Sequence, residues 1–344
     1  MAAEAILSIR DLAVQFTTED GIVQAVDGIT YDVYPGETVG IVGESGSGKS
    51  VSTMSILGLI PQPPGKIVRG EAYFNGKDLL KMSKKELRHV RGSEVSMVFQ
   101  DPMTSLNPVL KVGYQIGEAV KTHHPNKKDD EVKEQAVGLL RLVGVPNPER
   151  RYEQYPHEFS GGMRQRAMIA MALVLEPDLL IADEPTTALD VTVQAQILEL
   201  IGELKERLRI GVVLISHNLG VIADVAQDVM IMYAGRPVEI GTRDQVFREP
   251  RHPYAWGLLE SIPRPDVRVA RLQPIEGAPP SLIHVPPGCA FHPRCPHRFA
   301  QCDRERPDLT DASGTGHPDA CLLSSEEKQR LWAERRARFA EAAA

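Results

Sequence analysis

The sequence predicts an α/β fold: a parallel, helix-covered sheet, with an antiparallel β portion ahead of it and a small cysteine-containing region behind it. Three observations carry that expectation. Short apolar runs at 179–182, 212–215 and 229–233 follow or alternate with helical patterns, as in a parallel sheet with helices on its faces. Residues 7–16 and 21–33 mix Val, Ile and Thr with turn residues, as strands of an antiparallel sheet do. After about His252, Pro and Arg become frequent, regular periodicity fades and all four cysteines arrive.

The elements follow in order. Pro35-Gly36-Glu37 marks a turn, and the apolar run 38–42 is a short strand that leads straight into a Gly-rich loop and a helix over about 49–60. Pro61 to Gly65 breaks the chain, and 95–99 is a further short strand. Between about 102 and 177 the pattern is helical, with apolar residues at helical spacing over 129–143 and a second helix over 161–175. Another helix is expected over 191–208. Ser324 and Glu327 match a capping box that opens a charged helix reaching about Ala340. No internal repeat is present.

Composition narrows the function classes. The 344 residues correspond to about two ordinary domains, and 42% hydrophobic with 25% charged residues supports a full core. A net charge of -7 argues against a nucleic-acid binder and against direct docking on an anionic membrane. No segment approaches the roughly 20 apolar residues that cross a bilayer. Glu4 stands where a signal peptide carries positive charge, so a cytoplasmic chain is expected, with any membrane work done through an embedded partner.

Gly43-Glu44-Ser45-Gly46-Ser47-Gly48-Lys49-Ser50 matches G-x-x-x-x-G-K-[ST], with a strand before it and a helix after it. In that context the glycines let backbone N–H groups turn toward phosphates, and the helix adds its positive end. Lys49 is placed to reach the β- and γ-phosphates of ATP and Ser50 to bind Mg²⁺. The run 179–182 ends in Asp183 and Glu184, where a parallel sheet gathers its functional groups. Asp183 suits the Mg²⁺ shell, and Glu184 suits a general base acting on water. Alone, each acid reads equally well as a solvated strand end, and His217 and Gln100 as ordinary residues after strands.

Phe159-Ser160-Gly161-Gly162-Met163 resembles the LSGGQ signature of ABC ATPases, with Met163 where the family has Gln. That departure keeps the backbone and serine groups in place. The other motifs occur in the family's order. Gln100 resembles the Q-loop glutamine and a further Mg²⁺ contact, Asp183 and Glu184 the Walker B pair, and Ala188-Leu189-Asp190 the D-loop. His217 resembles the switch histidine and Phe16 the adenine-stacking aromatic, although a buried core Phe is nearly as good a reading. The resemblance covers about 5–250 and implies a P-loop NTPase, RecA-like core with an antiparallel β subdomain and an α-helical signature subdomain. It also implies a head-to-tail dimer, in which ATP sits between the phosphate loop of one subunit and Ser160–Gly162 of the other. The helical part and Gln100 are then expected to couple closure to membrane subunits.

Gln100-Asp101-Pro102 through Pro108 and His252-Pro253-Tyr254 resemble the oligopeptide, dipeptide and nickel importer class, D-type subunit. The expected domains are a nucleotide-binding cassette over 1–251, with its helical part at about 102–177, and a tail domain over 252–344. The implied partners are a second, homologous ATPase, two transmembrane permease subunits and, indirectly, an extracytoplasmic binding protein. The implied location is the cytoplasmic face of the membrane. A nickel or other small-solute importer and a soluble ABC ATPase stand as alternatives. Lys49, Glu184 and His217 together disfavour a non-catalytic partner subunit.

Cys289, Cys295, Cys302 and Cys321 are spaced C-x5-C-x6-C-x18-C, without the C-x2-C pairs of zinc ribbons. Four thiolates suit a [4Fe–4S] cluster or tetrahedral Zn²⁺, and unligated or disulfide-paired thiols remain a third reading. The family resemblance implies the iron–sulfur cluster. His292, His297 and His317 are expected at the surface.

Overall fold

The computed structural model describes residues 4–187, 189–262 and 275–341. Ten strands run through them: β1 (Leu7–Thr18), β2 (Gly21–Val33), β3 (Thr38–Val42), β4 (Gly65–Phe74), β5 (Lys77–Asp78), β6 (Val95–Val98), β7 (Leu179–Asp183), β8 (Gly211–Ser216), β9 (Asp228–Tyr233) and β10 (Arg236–Thr242). The chain divides into two compact units. One comprises Met1–Ser8, Asp32–Thr38 and Ala72–Ile215, the other Ile9–Tyr31, Val39–Glu71 and Ser216–Ala344.

In the first unit, β6, β7 and β8 pair in parallel, with Val98 opposite Ala182 and Ala182 opposite Leu214. Every residue of β7 and β8 is buried, as a parallel strand covered on both faces must be. The register brings the carboxyl ends of β6 and β7 side by side. The helices Val112–His123, Asp129–Leu142 and Gly161–Leu173 pack on one another. Val112, Ile116 and Val120 line the buried face of the first, and Val132, Ala136 and Leu140 that of the second, at the four-residue spacing of one helix face. The helix Val191–Leu208 buries Ile197, Leu200, Ile201 and Leu204 in the same way.

In the second unit, β1 and β2 are joined by two residues and therefore run antiparallel, and β4 lies on the far side of β1. β3 pairs in parallel with β9, and β9 antiparallel with β10. A bulge between Pro237 and Glu239 turns Glu239 wholly inward. Its carboxylate accepts the backbone N–H groups of Arg251 (3.0 Å) and His252 (2.8 Å) and lies 2.8 Å from His317 Nε2. The Ala320 N–H donates to the Val238 carbonyl, and the buried Lys328 ammonium meets Asp319 at 2.6 Å. The contacts of Glu239 and Val238 fasten the tail to β10, and the Lys328–Asp319 pair braces the tail itself.

Several expectations need correction. The helix after the Gly-rich loop is Lys49–Ile56, and the signature-bearing helix stops at Leu173. β4, β10 and the helix Lys84–Ser93 are additions. His317, expected at the surface, is 1% exposed, because the buried Glu239 carboxylate draws it in as a partner. The tail opens with a regular helix, Pro253–Glu260, whose Tyr254, Ala255 and Trp256 are fully buried. The Ser324 capping box forms as expected, with Glu327 accepting the Ser324 N–H at 3.0 Å.

Replacing Glu239 by Ala strands one buried and one partly buried backbone donor and a buried imidazole. The expected cost is about 2–4 kcal/mol of stability, read as a lower denaturant midpoint with an unchanged slope.

Candidate active site

The second unit carries the Gly-rich loop. It leaves β3 at Gly43 and enters the helix at Lys49. Two glycines are required by geometry. A Cβ on Gly43 would lie 2.3 Å from the Met232 carbonyl oxygen. Gly48 has φ +98°, and its Cβ would lie 2.1 Å from the Ala25 carbonyl oxygen. The Lys49 side chain is buried, and its ammonium donates to the carbonyls of Gly43 (2.8 Å) and Glu44 (3.0 Å). The Ser47 N–H donates to Glu44 O, and Gly235 N–H to Ser47 O. Ser47 Oγ is buried with no hydrogen-bond partner among the described residues. Ser45 and Gly46 are exposed, and Ser50 is half-buried. The loop is a cradle of backbone N–H groups with an ammonium folded into it, chemistry suited to a polyphosphate.

Phe16 is half-buried near the end of β1, beside Gly65, whose Cβ would approach its ring to 3.0 Å. A cavity next to the loop is lined by Tyr233, Ala234, Pro279, Pro280 and Leu282, together with residues 44–47. His217 is exposed just after β8, and Asn218 caps the helix Leu219–Val225.

In the first unit, Gln100 follows β6 and Glu184 follows β7. The Gln100 amide donates to Glu184 Oε2 at 3.0 Å, and the Thr187 hydroxyl donates to the same oxygen at 2.9 Å. The Glu184 N–H donates to the Ile215 carbonyl at 2.9 Å. Glu184 adopts φ +48°, an uncommon left-handed conformation for a side-chain-bearing residue and one that gathers at functional sites. Asp183, one residue earlier, is buried. An amide and two carboxylates are thus collected at the ends of neighbouring parallel strands.

The same unit holds Ser160, which caps the helix Gly161–Leu173 by accepting the Met163 N–H. The cap uses only the backbone of Met163, so the Gln-to-Met departure leaves it intact. Ser160 and Gly161 are exposed, and a Cβ on Gly162 would lie 2.8 Å from Val193. Asp190 caps the helix Val191–Leu208 through Val193 N–H at 2.9 Å. Ala188 of the D-loop lies outside the described residues.

The four cysteines, from separate loops of the tail, line one small cavity and none is in a disulfide. The Cys289 N–H donates to the Cys302 carbonyl. Burial pushes the Cys289 thiol up, that of Cys295 to about 11 and that of Cys321 to about 12. Among the described residues, no set of three or more Cys, His, Asp or Glu is arranged as a metal-binding group.

Sequence patterns gave no role to Thr187 or Arg294. The Tyr254 hydroxyl accepts the Glu44 N–H at 2.9 Å, a role the His252-Pro253-Tyr254 motif does not announce.

Residues 26–187 match the ABC transporter family model, and 238–302 match the oligopeptide/dipeptide transporter C-terminal region. The chain is 53% identical to the dipeptide transport ATP-binding protein DppD of Bacillus subtilis, over 95% of this chain and 97% of that protein. It is 48% identical to the oligopeptide transport ATP-binding protein OppD of Salmonella typhimurium, over 94% and 96%. The chain belongs to the oligopeptide/dipeptide family of ABC transporter ATP-binding proteins. Its fold matches the dimeric bacterial ABC transporter cassette MJ0796, with a TM-score of 0.62 and 25% identity over 69% of this chain and 98% of that one. As an ABC ATPase it hydrolyses ATP, with Mg²⁺ as the usual companion ion. No helix among the described residues is long and apolar enough to cross a membrane.

Gly43→Ala forces the loop off the Met232 carbonyl. ATP affinity of the full chain is expected to fall at least tenfold, measured by equilibrium titration with a fluorescent ATP analogue.

Proposed function

We propose that this chain energises peptide import as one of two ATPase subunits on a pair of permease subunits, supplied by an extracytoplasmic binding protein. The observation that carries the catalytic half of this reading is the Gln100–Glu184–Thr187 cluster at the carboxyl ends of β6 and β7. The peptide half is supported by the names of the relatives above.

In this mechanism, loop N–H groups of Gly43–Ser50 other than those of Glu44 and Ser47 would hold the β- and γ-phosphates together with the Lys49 ammonium, and Phe16 would stack on the adenine. Ser50, Gln100 and Asp183 would hold Mg²⁺, which would offset the charge of the phosphates. Glu184 would accept the proton of the attacking water, and His217 would serve as the switch histidine. The strained Glu184 backbone and its two hydrogen bonds fix the carboxylate in one orientation. The exposed start of the helix at Ser160–Gly162, with Asp190, forms the half-site offered to the nucleotide on the second ATPase. Phe99, Val109 and Tyr114, on the stretch of chain around and after Gln100, are large, apolar and exposed, which suits a contact with the permease.

Cys289, Cys295, Cys302 and Cys321 are proposed to hold a [4Fe–4S] cluster, or Zn²⁺ in its place. This reading is supported by four thiols outside any disulfide that line one cavity, although they are not gathered there into a metal-binding set. Such a group would supply cross-linking between loops that have little apolar core of their own. Because thiols ligate metal as thiolates, loading should release protons.

Two outcomes check these assignments. Glu184→Gln in the assembled transporter is expected to bind ATP while turnover falls at least about 100-fold; near-normal turnover would exclude Glu184 as the base. Protein purified without oxygen is expected to carry about four iron and four acid-labile sulfide per chain. Zinc alone would select the alternative, and no metal at all would rule out both.

A further inference from the structure

Besides Tyr254, the tail reaches the phosphate loop through the Arg294 side chain. Arg294 lies one residue before Cys295, and its guanidinium forks onto Glu44, the second residue of the loop: Nη1 to Oε2 at 2.6 Å and Nη2 to Oε1 at 3.0 Å. The remaining donors are also used. Nε donates to the Glu276 carbonyl (3.0 Å), Nη2 to that of Ile275 (3.3 Å) and Nη1 to the Tyr233 hydroxyl (3.3 Å). All five guanidinium hydrogens thus have acceptors. The Arg294 side chain is only 5% exposed, and that of Glu44 is 28% exposed. Beneath it, the Tyr233, Tyr254 and Phe291 rings pack on one another, with centroids 4.7–5.4 Å apart.

Glu44 is in turn tied to the loop's working parts. Its N–H is held by Tyr254, and its carbonyl accepts both the Ser47 N–H and the Lys49 ammonium. A carboxylate in this loop has an electrostatic consequence. Unpaired, it would repel the phosphates the loop receives. A buried, bidentate guanidinium cancels that charge and fixes the side chain in one place.

We propose that Arg294 is a positioning residue for nucleotide binding, acting through Glu44 so that the tail sets the shape and charge of the phosphate loop. The inference rests on the phosphate-loop reading given above. Reciprocity follows: nucleotide that favours the held loop must favour the docked tail by the same factor.

The test is a double-mutant cycle on the full chain, measured as affinity for a fluorescent ATP analogue with Mg²⁺, and as KM and kcat in the assembled transporter. Arg294→Ala is expected to weaken nucleotide binding and raise KM about tenfold, with kcat within twofold. In a Glu44→Gln background, the same substitution is expected to add less than threefold. Arg294→Lys, which keeps the charge but loses the fork, should recover part of the affinity. Should Arg294→Ala not accumulate as folded protein, Arg294→Gln takes its place in the cycle. An unchanged affinity, or an equal loss in both backgrounds, overturns the proposal. Lys49→Ala separates the two layers. If it leaves nucleotide affinity unchanged, the phosphate-loop reading itself fails. If it abolishes binding while Arg294→Ala does nothing, only the tail's role fails.

Discussion

The buried ammonium of Lys49 is the constraint around which the second unit is organised. A lysine 5% exposed must have acceptors, and here they are the carbonyls of Gly43 and Glu44 in its own loop. To present them, the loop presses its backbone against Met232 and Ala25, which is why Gly43 and Gly48 tolerate no side chain. The loop's shape therefore depends on β9 and β2 behind it as much as on its own sequence. Its carbonyls satisfy the ammonium only while that backing holds.

The first unit solves a different problem with the same sheet logic. Parallel strands buried on both faces offer polar groups only at their ends, so catalytic side chains collect there. The parallel register of β6 and β7 sets Gln100 beside Glu184, and Thr187 returns from the following turn to the same oxygen. The signature serine and Asp190 are used locally as helix caps, which fixes the starts of two neighbouring helices and leaves the first of them open to solvent.

Motifs whose chemistry is local were legible in the sequence. The strand–loop–helix context of Gly43–Ser50, the apolar run ending in Asp183 and Glu184, the helix Val191–Leu208 and the Ser324 cap all stand where the residues put them. Elements whose pattern is broken were not. β4 carries Gly65, Gly70 and several exposed charges, and buries only scattered positions. The helix Lys84–Ser93 buries only Leu87 and Val90, so its amphipathic stripe is thin. The helix Pro253–Glu260 is apolar nearly all round and shows no period. Contacts between distant residues left no trace in spacing: Arg294 and Glu44 are 250 positions apart, and His317 reads as a surface residue until buried Glu239 is seen beside it. Phe16 belongs to the same class, because its ring packs beside Gly65, and no pattern along β1 marks that neighbour.

If this ATPase drives peptide transport through partner subunits, its hydrolysis should answer to peptide. The decisive measurement is ATP hydrolysis after reconstitution with its permease subunits and binding protein in vesicles, with and without short peptides. Peptide-loaded binding protein is expected to raise hydrolysis several-fold, and peptide to accumulate in the compartment facing this chain. Hydrolysis that ignores peptides but responds to a metal ion or another small solute would contradict the substrate class and leave the ATPase standing.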